Sequence, residues 1–363
     1  MSKSAKGNTS KNLNIAKKNK SDEFYTQLSD IENELRHYKH HFKNKVVYCN
    51  CDDPRVSNFF NYFALNFETL GLKKLITTCY KNHEWNLFSS GNSEQAVYLE
   101  YEGDKNGNKV PDPEEIGIHP LKGDGDFRSE ESIELLKQAD IVVTNPPFSL
   151  FREYVDQLIT FKKKFLILGN LNAITYQEIF KFIKEGKLWM GPSITSGDRE
   201  FGVPDDYPLN AASSRVDSDG NKFVRVKGVR WFTNLDYSKR YEDLILYKKY
   251  KKEDYPKYEN FDAINVNKTV DIPIDYKGFM GVPITFLDKH NPDQFEIIGL
   301  GISKLGVEIG VKPYKEEHKI YRKEVQKSAV VNGDLYMMEN GVVKKPYARV
   351  IIRNKKISNK QTR

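Results

Sequence analysis

Short, mostly apolar runs alternating with amphipathic stretches restrict the fold of this 363-residue chain more than any other feature. Val46-Val47-Tyr48-Cys49, Lys74-Leu75-Ile76-Thr77-Thr78, Asp140-Ile141-Val142-Val143 and Phe165-Leu166-Ile167-Leu168 are too short for buried helices and too apolar for strands wetted on one face. Between and around them, apolar residues recur at helical spacing: Ile31, Leu35, Tyr38 and Phe42; Val56, Phe59, Phe60 and Phe63; Phe151, Tyr154, Val155 and Leu158; Ile179, Phe182 and Ile183. Ser132 to Gln138 reads as the tail of a further helix. Ser29-Asp30-Ile31-Glu32 and the Thr175/Glu178 pair read as capping boxes, and Asp53-Pro54 as an N-cap followed by a proline at the first helical position. Such alternation predicts an α/β fold with a parallel, Rossmann-like sheet covered on both faces. A hairpin is expected around residues 96 to 101, and residues 223 to 232 are expected to form one strand closing the sheet.

Ligands of such sheets sit beyond the carboxyl ends of the strands. Asp53, Asp126 and Asn145 fall at or near those ends, which puts three polar features along one edge. After about residue 195 the pattern changes. Turns multiply, and aromatics mix with lysines, as in Tyr247-Lys248-Lys249-Tyr250-Lys251-Lys252. Three divisions follow: a basic, disordered tail over 1–20, a catalytic domain over 21–235, and a second region over 236–363 that ends in a basic tail.

Charge distribution points to a polyanion. The net charge is +7. The first twenty residues carry Lys3, Lys6, Lys11, Lys17, Lys18 and Lys20 and no acid; from Val343 onward come eight lysines and arginines, again with no acid. Cationic ends of this kind clamp nucleic acid through its phosphates, or simply stay solvated. Other classes are set aside. There is no apolar run of eighteen residues to span a membrane, and no apolar segment in the N-terminus to act as a secretory signal. Cys49, Cys51 and Cys79 form no CxxC pair, and the seven histidines show no metal-ligand spacing, so no metal is expected and a reducing cytoplasm suits the chain. His37, His40 and His41 read as surface residues of one helix. Gly299-Leu300-Gly301 lacks the third glycine of a dinucleotide loop and reads as a turn, and no phosphate-binding GxxxxGKS/T loop occurs.

The strand at 140–143 runs through Thr144 into Asn145-Pro146-Pro147-Phe148, where two prolines stop it. A carboxamide oxygen and the carbonyl of a rigid proline are two acceptors side by side, which suits an exocyclic NH2 group with two hydrogens to give. Bonding both hydrogens takes the nitrogen lone pair out of conjugation and aims it at an electrophile. Phe148 offers a flat face for a heterocycle. The plainer alternative is a proline turn that only terminates a strand, and the position of the tetrapeptide at a sheet edge favours chemistry over it.

Asn-Pro-Pro-Phe after an apolar strand resembles motif IV of amino-methyltransferases that use S-adenosylmethionine. Ser21-Asp22-Glu23-Phe24-Tyr25-Thr26-Gln27 looks like their motif X, Asp53-Pro54 like the acidic end of motif I, and Gly125-Asp126-Phe127 like motif III. The stretches YCNCDDPRVSNFF, GVRWFTNLD and GVPITFLDKHNPDQFEIIG are similar to the EcoRI-type adenine-specific DNA methyltransferases, and the likeness runs from about Lys17 to the C-terminal region. The resemblance implies the following roles. Asn145 and Pro146, within the catalytic set Asn145, Pro146, Pro147 and Phe148, hold the adenine N6 amino group while Phe148 stacks on the base. Asp53 and Pro54 lie beside the methionine part of S-adenosylmethionine, with Phe24, Tyr25 and Thr26 covering that end. Asp126 accepts from the cofactor's adenine amino group, with Phe127 packed nearby. The chain departs from methyltransferases at large in having no glycine in Asp53-Pro54-Arg55-Val56-Ser57-Asn58 and no acid in Thr78-Cys79-Tyr80-Lys81 to grip the ribose.

The expected function is N6 methylation of an adenine flipped out of duplex DNA, read by a C-terminal target-recognition region. The chain is expected to be a monomer; the resemblance implies a cognate restriction endonuclease as partner without a stable complex, although a solitary methyltransferase would look the same in sequence. Methylation of RNA adenine or of a protein glutamine, and an inactive DNA-binding relative, remain alternatives at this point.

Overall fold

A computed structural model describes residues 24–51, 57–78, 96–108, 111–203, 207 and 214–356. They divide into two compact units. The first comprises the chain up to Leu171 together with Ser193–Asp236, the second Asn172–Pro192 with the chain from Tyr237.

In the first unit, β1 (Tyr25–Thr26) precedes helix α1 (Leu28–Leu35). Strands β2 (Val46–Cys49), β3 (Lys74–Thr78), β4 (Val97–Tyr101), β5 (Ile116–Pro120), β6 (Ile141–Thr144) and β7 (Lys164–Asn170) follow in chain order, with helices α2 (Asn58–Leu65), α3 (Phe67–Leu70), α4 (Glu130–Gln138) and α5 (Phe151–Thr160) among them. Later come β8 (Asp198–Val203), β9 (Ser214–Val216), β10 (Lys222–Lys227) and β11 (Val229–Thr233). Seven strands of this unit stand side by side in the order β5-β4-β3-β2-β6-β7-β11. β3, β2, β6 and β7 are parallel, while β4, β5 and β11 run antiparallel to their neighbours. Every residue of β2 and of β6 is buried, as expected of central strands covered on both faces. Each valine or isoleucine so buried contributes about 1.5–3 kcal/mol. From β2 the chain steps outward to β3 and later returns to the other side of β2 as β6. The order therefore reverses between β2 and β6, and the crevice of such a sheet opens at that point.

Local signals are met in part. Ile31, Leu35, Tyr38 and Phe42 are fully buried, although α1 ends at Leu35 and a 3-10 turn, Lys39–His41, carries the last of them inward. Neither capping box forms. α1 begins at Leu28 behind Gln27, which makes no side-chain cap, so Ser29 lies inside the first turn. The second such helix is capped at Tyr176, and Thr175 Oγ1 donates instead to the Asn172 carbonyl at 2.7 Å. α2 is capped by Ser57, whose hydroxyl accepts from the amides of Phe59 and Phe60 at 3.2 and 3.5 Å. Asp53, Pro54 and Val56 lie outside the described residues. The single strand expected over 223–232 is two. Gly228 takes a left-handed φ of +71° and turns the chain, so that β10 joins a separate sheet of order β1-β8-β10-β9 while β11 pairs with β7.

The second unit has a four-stranded sheet in which β12 (Ala263–Asn265), β13 (Phe279–Pro283), β17 (Arg349–Asn354) and β14 (Phe295–Leu300) lie in that order, and a ribbon of β15 (Met337–Glu339) and β16 (Val342–Lys344). Tyr258, Ala263, Val311, Leu335, Met337 and Ile351 form its core. Helix α6 (Gln177–Lys184), which a division at residue 235 places in the catalytic domain, belongs to this unit. It packs against β14, and Gln177 donates to Glu308 at 2.6 Å. Gly299 is likewise not in a turn but in β14, beside a bulge, where a Cβ would run into Ile309. Among the described residues no helix is long and apolar enough to cross a membrane.

Candidate active site

The site grows from the carboxyl ends of β2 and β6. Asn50 follows β2 as Asn145 follows β6, and both are buried. The Thr144 hydroxyl donates to the Asn50 carbonyl, which ties the two strand ends together, and the Tyr154 hydroxyl on α5 donates to Asn50 Oδ1. Burial raises the phenol of Tyr154 well above its ordinary pKa, so it stays a donor. Cys51 leaves β2 in the left-handed region, φ +71°, a conformation that costs a non-glycine residue about 1–3 kcal/mol and recurs where a chain bends around a ligand. Beyond it, Asp53 and Pro54, expected at the cofactor, lie outside the described residues.

Asn145 is 6% exposed. Its Nδ2 donates to the Phe24 carbonyl at 2.7 Å, which fixes the amide plane and its flip. Its Oδ1 is buried with no hydrogen-bond partner. An unpaired buried carbonyl costs about 1–3 kcal/mol, so the structure holds an acceptor ready for a donor from outside the chain. Pro146 is buried, Pro147 and Phe148 half-buried. The Phe148 ring lies 6.1 Å from that of Phe24, which also meets Phe201 at 5.7 Å and Tyr207 at 6.3 Å. The expected catalytic tetrapeptide and the motif around Phe24 are thus in direct contact, 121 residues apart in sequence.

Backbone pairing holds the Phe24 segment there. Tyr25 pairs with Gly202 and Thr26 with Phe201, and the Thr26 carbonyl accepts from Asn58 Nδ2 at 2.7 Å, at the start of α2. Thr26 Oγ1 is a second buried oxygen without a partner. On the other flank Phe127 is 6% exposed and packs edge-on against Tyr154 at 5.0 Å, with Gln157 donating to its carbonyl. Asp126 sits in a turn, as the Gly123-Asp124-Gly125-Asp126 run allows, and is forked by Arg128. Its Oδ1 accepts from the Arg128 amide and Nε, its Oδ2 from Nη2 at 2.6 Å. The hydrogen bonds from Arg128 hold its carboxyl below the ordinary aspartate range. Of the four lone-pair sites of the carboxylate, one on Oδ2 stays open to a further donor.

A chain of contacts therefore runs Phe127, Tyr154, Asn50, Thr144, Asn145, Phe24, Phe148. Sequence reading found most of it but missed Asn50, Thr144 and Tyr154. A polar residue directly after a buried strand was the available signal for Asn50, and Tyr154 looked like helix core. For S-adenosylmethionine the residues present fit: an unpaired acceptor on Thr26, an open carboxylate position on Asp126, and the buried Phe127 ring for a heterocycle. Among the described residues no three of His, Cys, Asp and Glu gather where a metal ion could be held.

Comparison with known proteins identifies the family. The family model described as adenine-specific methyltransferase EcoRI matches residues 12–355. The chain is 51% identical over 356 residues to the Type II methyltransferase M.EcoRI of Escherichia coli, covering 97% of this chain and 99% of that one. It is 43% identical to the Type II methyltransferases M.MgeORF184P of Mycoplasma genitalium and M.MpnI of Mycoplasma pneumoniae, each over 79% of this chain and 85% and 84% of theirs. No solved structure matches it. With a match over nearly its whole length, the chain belongs to the EcoRI-type family of adenine-specific DNA methyltransferases.

Proposed function

We propose that the chain methylates the N6 amino group of a specific adenine flipped out of duplex DNA, with S-adenosylmethionine as donor. The observation that carries this is the buried Asn145 amide, whose Nδ2 is spent on Phe24 while its Oδ1 is left unpaired. An oriented acceptor at the sheet's switch point suits a substrate NH2. In this reading Asn145 Oδ1 and the Pro146 carbonyl take the two amino hydrogens, Pro147 holds the turn, and Phe148 stacks on the base. When bound, S-adenosylmethionine supplies a methyl group already activated on a sulfonium. The chain contributes position and lone-pair alignment rather than a nucleophile or a strong base. Phe24, Tyr25, Thr26, Asp53 and Pro54 hold the donor's methionine end, and Asp126 with Phe127 its adenine.

Flipping costs a few kcal/mol, and stacking on Phe148 offsets about 1–3 kcal/mol of it. The basic ends and the region from 236 onward bind the duplex and recognise the target. The enzyme acts as a cytoplasmic monomer that protects DNA from a cognate endonuclease without forming a stable complex with it. Transfer of tritiated methyl to DNA, RNA and protein by wild type and Asn145→Ala tests the assignment. Label in DNA adenine that disappears in the variant supports it; label in RNA or protein alone overturns it.

A further inference from the structure

The second unit carries a segment that the site does not use. From Asp243 to Tyr250 the chain forms neither helix nor strand, yet its backbone is pinned at both ends. The Leu244 amide donates to Gln294 Oε1 at 2.7 Å and its carbonyl accepts from Gln294 Nε2 at 2.8 Å. Six residues on, the Tyr250 amide donates to Asp275 at 2.8 Å, and the Lys248 carbonyl accepts from Ile274 at 2.9 Å. The Tyr250 ring lies 4.5 Å from Tyr276 and 5.8 Å from Tyr255. Between these anchors Leu246 is half-buried, while two of the exposed residues are large and apolar: Ile245 is 69% exposed and Tyr247 82%. A single exposed apolar side chain means little, but two on a held backbone, each open to solvent, form a prow.

Charge beside the prow identifies what it meets. Lys249, Lys251 and Lys252 are exposed, and their amines have no acidic partner among the described residues. The neighbouring acids Asp243, Asp271 and Asp275 are engaged, by Lys356 and Asn291, by Lys248 and by the Tyr250 amide. Glu253 and Asp254 close the turn that Lys251 begins, two acids against the four lysines at 248, 249, 251 and 252. Unpaired amines flanking an apolar wedge match duplex DNA, where lysines take phosphates and an apolar or aromatic side chain enters between base steps.

We propose that residues 244–252 are a DNA-inserting element, with Tyr247, assisted by Ile245, entering the duplex and Lys249, Lys251 and Lys252 holding the adjacent phosphates. This rests on the reading of the chain as a duplex-DNA enzyme. It assigns the insertion to a segment remote in sequence from Asn145 and Phe148. A wedge that opens the stack would also lower the cost of extruding the target base.

The test is fluorescence anisotropy of a labelled 30-base-pair duplex of mixed sequence, titrated with the full chain across a range of salt. Tyr247→Ala, at a site too exposed to affect folding, raises Kd about tenfold with the salt slope unchanged, because one stacking contact is lost. The triple change of Lys249, Lys251 and Lys252 to glutamine lowers the slope of log K against log salt by about 2 to 3, near 0.9 for each phosphate contact. An unchanged Kd in the first variant, or an unchanged slope in the second, overturns the proposal. So does a change confined to self-association in sedimentation velocity, which gives the surface to a second copy of the chain. Methyl transfer by wild type and Asn145→Ala is followed in a separate assay, so a fault in the catalytic reading registers there and not in the anisotropy of the Tyr247 and lysine variants.

Discussion

Replacing Asn145 with alanine separates the two jobs of one amide. The Nδ2 hydrogen bond to the Phe24 carbonyl, at 2.7 Å, is lost and leaves that carbonyl buried and unpaired. The cost is about 1–3 kcal/mol, seen as a fall of a few degrees in Tm. The Oδ1 acceptor is lost as well; it is buried with no partner in the folded chain, so its removal offsets part of that cost while its absence is felt in the reaction. Loss of one preorganised polar group at a reacting centre lowers the rate by about 10²–10³-fold. With the lone pair no longer drawn out of conjugation, Asn145→Ala is expected at or beyond the upper end. Single-turnover transfer of tritiated methyl, at saturating DNA and donor, measures the chemical step apart from binding. A variant that melts a few degrees lower yet transfers methyl within tenfold of wild type refutes the role given to Oδ1.

Three further outcomes follow from particular contacts. Phe148→Ala removes the half-buried ring beside Phe24 and should reduce the fluorescence rise of a 2-aminopurine placed at the target; an undiminished rise argues against stacking. Glu34 is fully buried, bonded to the Tyr38 hydroxyl and the Ser193 amide, and burial pushes its carboxyl up to about 7 from 4.5. The native state therefore keeps a proton that the unfolded chain loses between those values, and stability from this group is full below about 4.5 and lost as pH rises through about 7. Glu34→Gln should flatten that dependence and gain up to a few kcal/mol over wild type at pH 8, read from denaturation midpoints at pH 5 and 8. Gly228→Ala meets no atom closer than 3.7 Å, so its penalty is backbone alone, about 1–2 kcal/mol from the left-handed φ; an unchanged midpoint would show that the turn between β10 and β11 relaxes.

Apolar runs and their spacing were enough to place β2, β3, β6 and β7 and helices α2, α4 and α5 between them, because a strand buried on both faces leaves a continuous apolar signature. The same signal put Asn145 at a sheet edge, and the prolines after it marked where the chain stops. Helix starts were less legible. Ser29 and Thr175 look like caps in sequence, but neither caps a helix in the fold, since a cap depends on where the preceding chain enters. The 223–232 strand was misread because glycine within an apolar run gives no sign of whether its φ is positive, and here that one angle sends the two halves into different sheets.

Sequence by itself determined the fold class, the tetrapeptide and the residue types of the site, all of which are local properties of short segments. Tertiary structure decided which of the two Asn145 amide atoms is free. That depends on a hydrogen bond to Phe24, a residue 121 positions away whose backbone is held by pairing with β8. It also decided that Asp126 is shared with Arg128, and that Tyr247 stands clear of the surface while Tyr250, three residues on, packs against Tyr255 and Tyr276. Pairings across long stretches of chain are set by the sum of many contacts, and no window of neighbouring residues contains them.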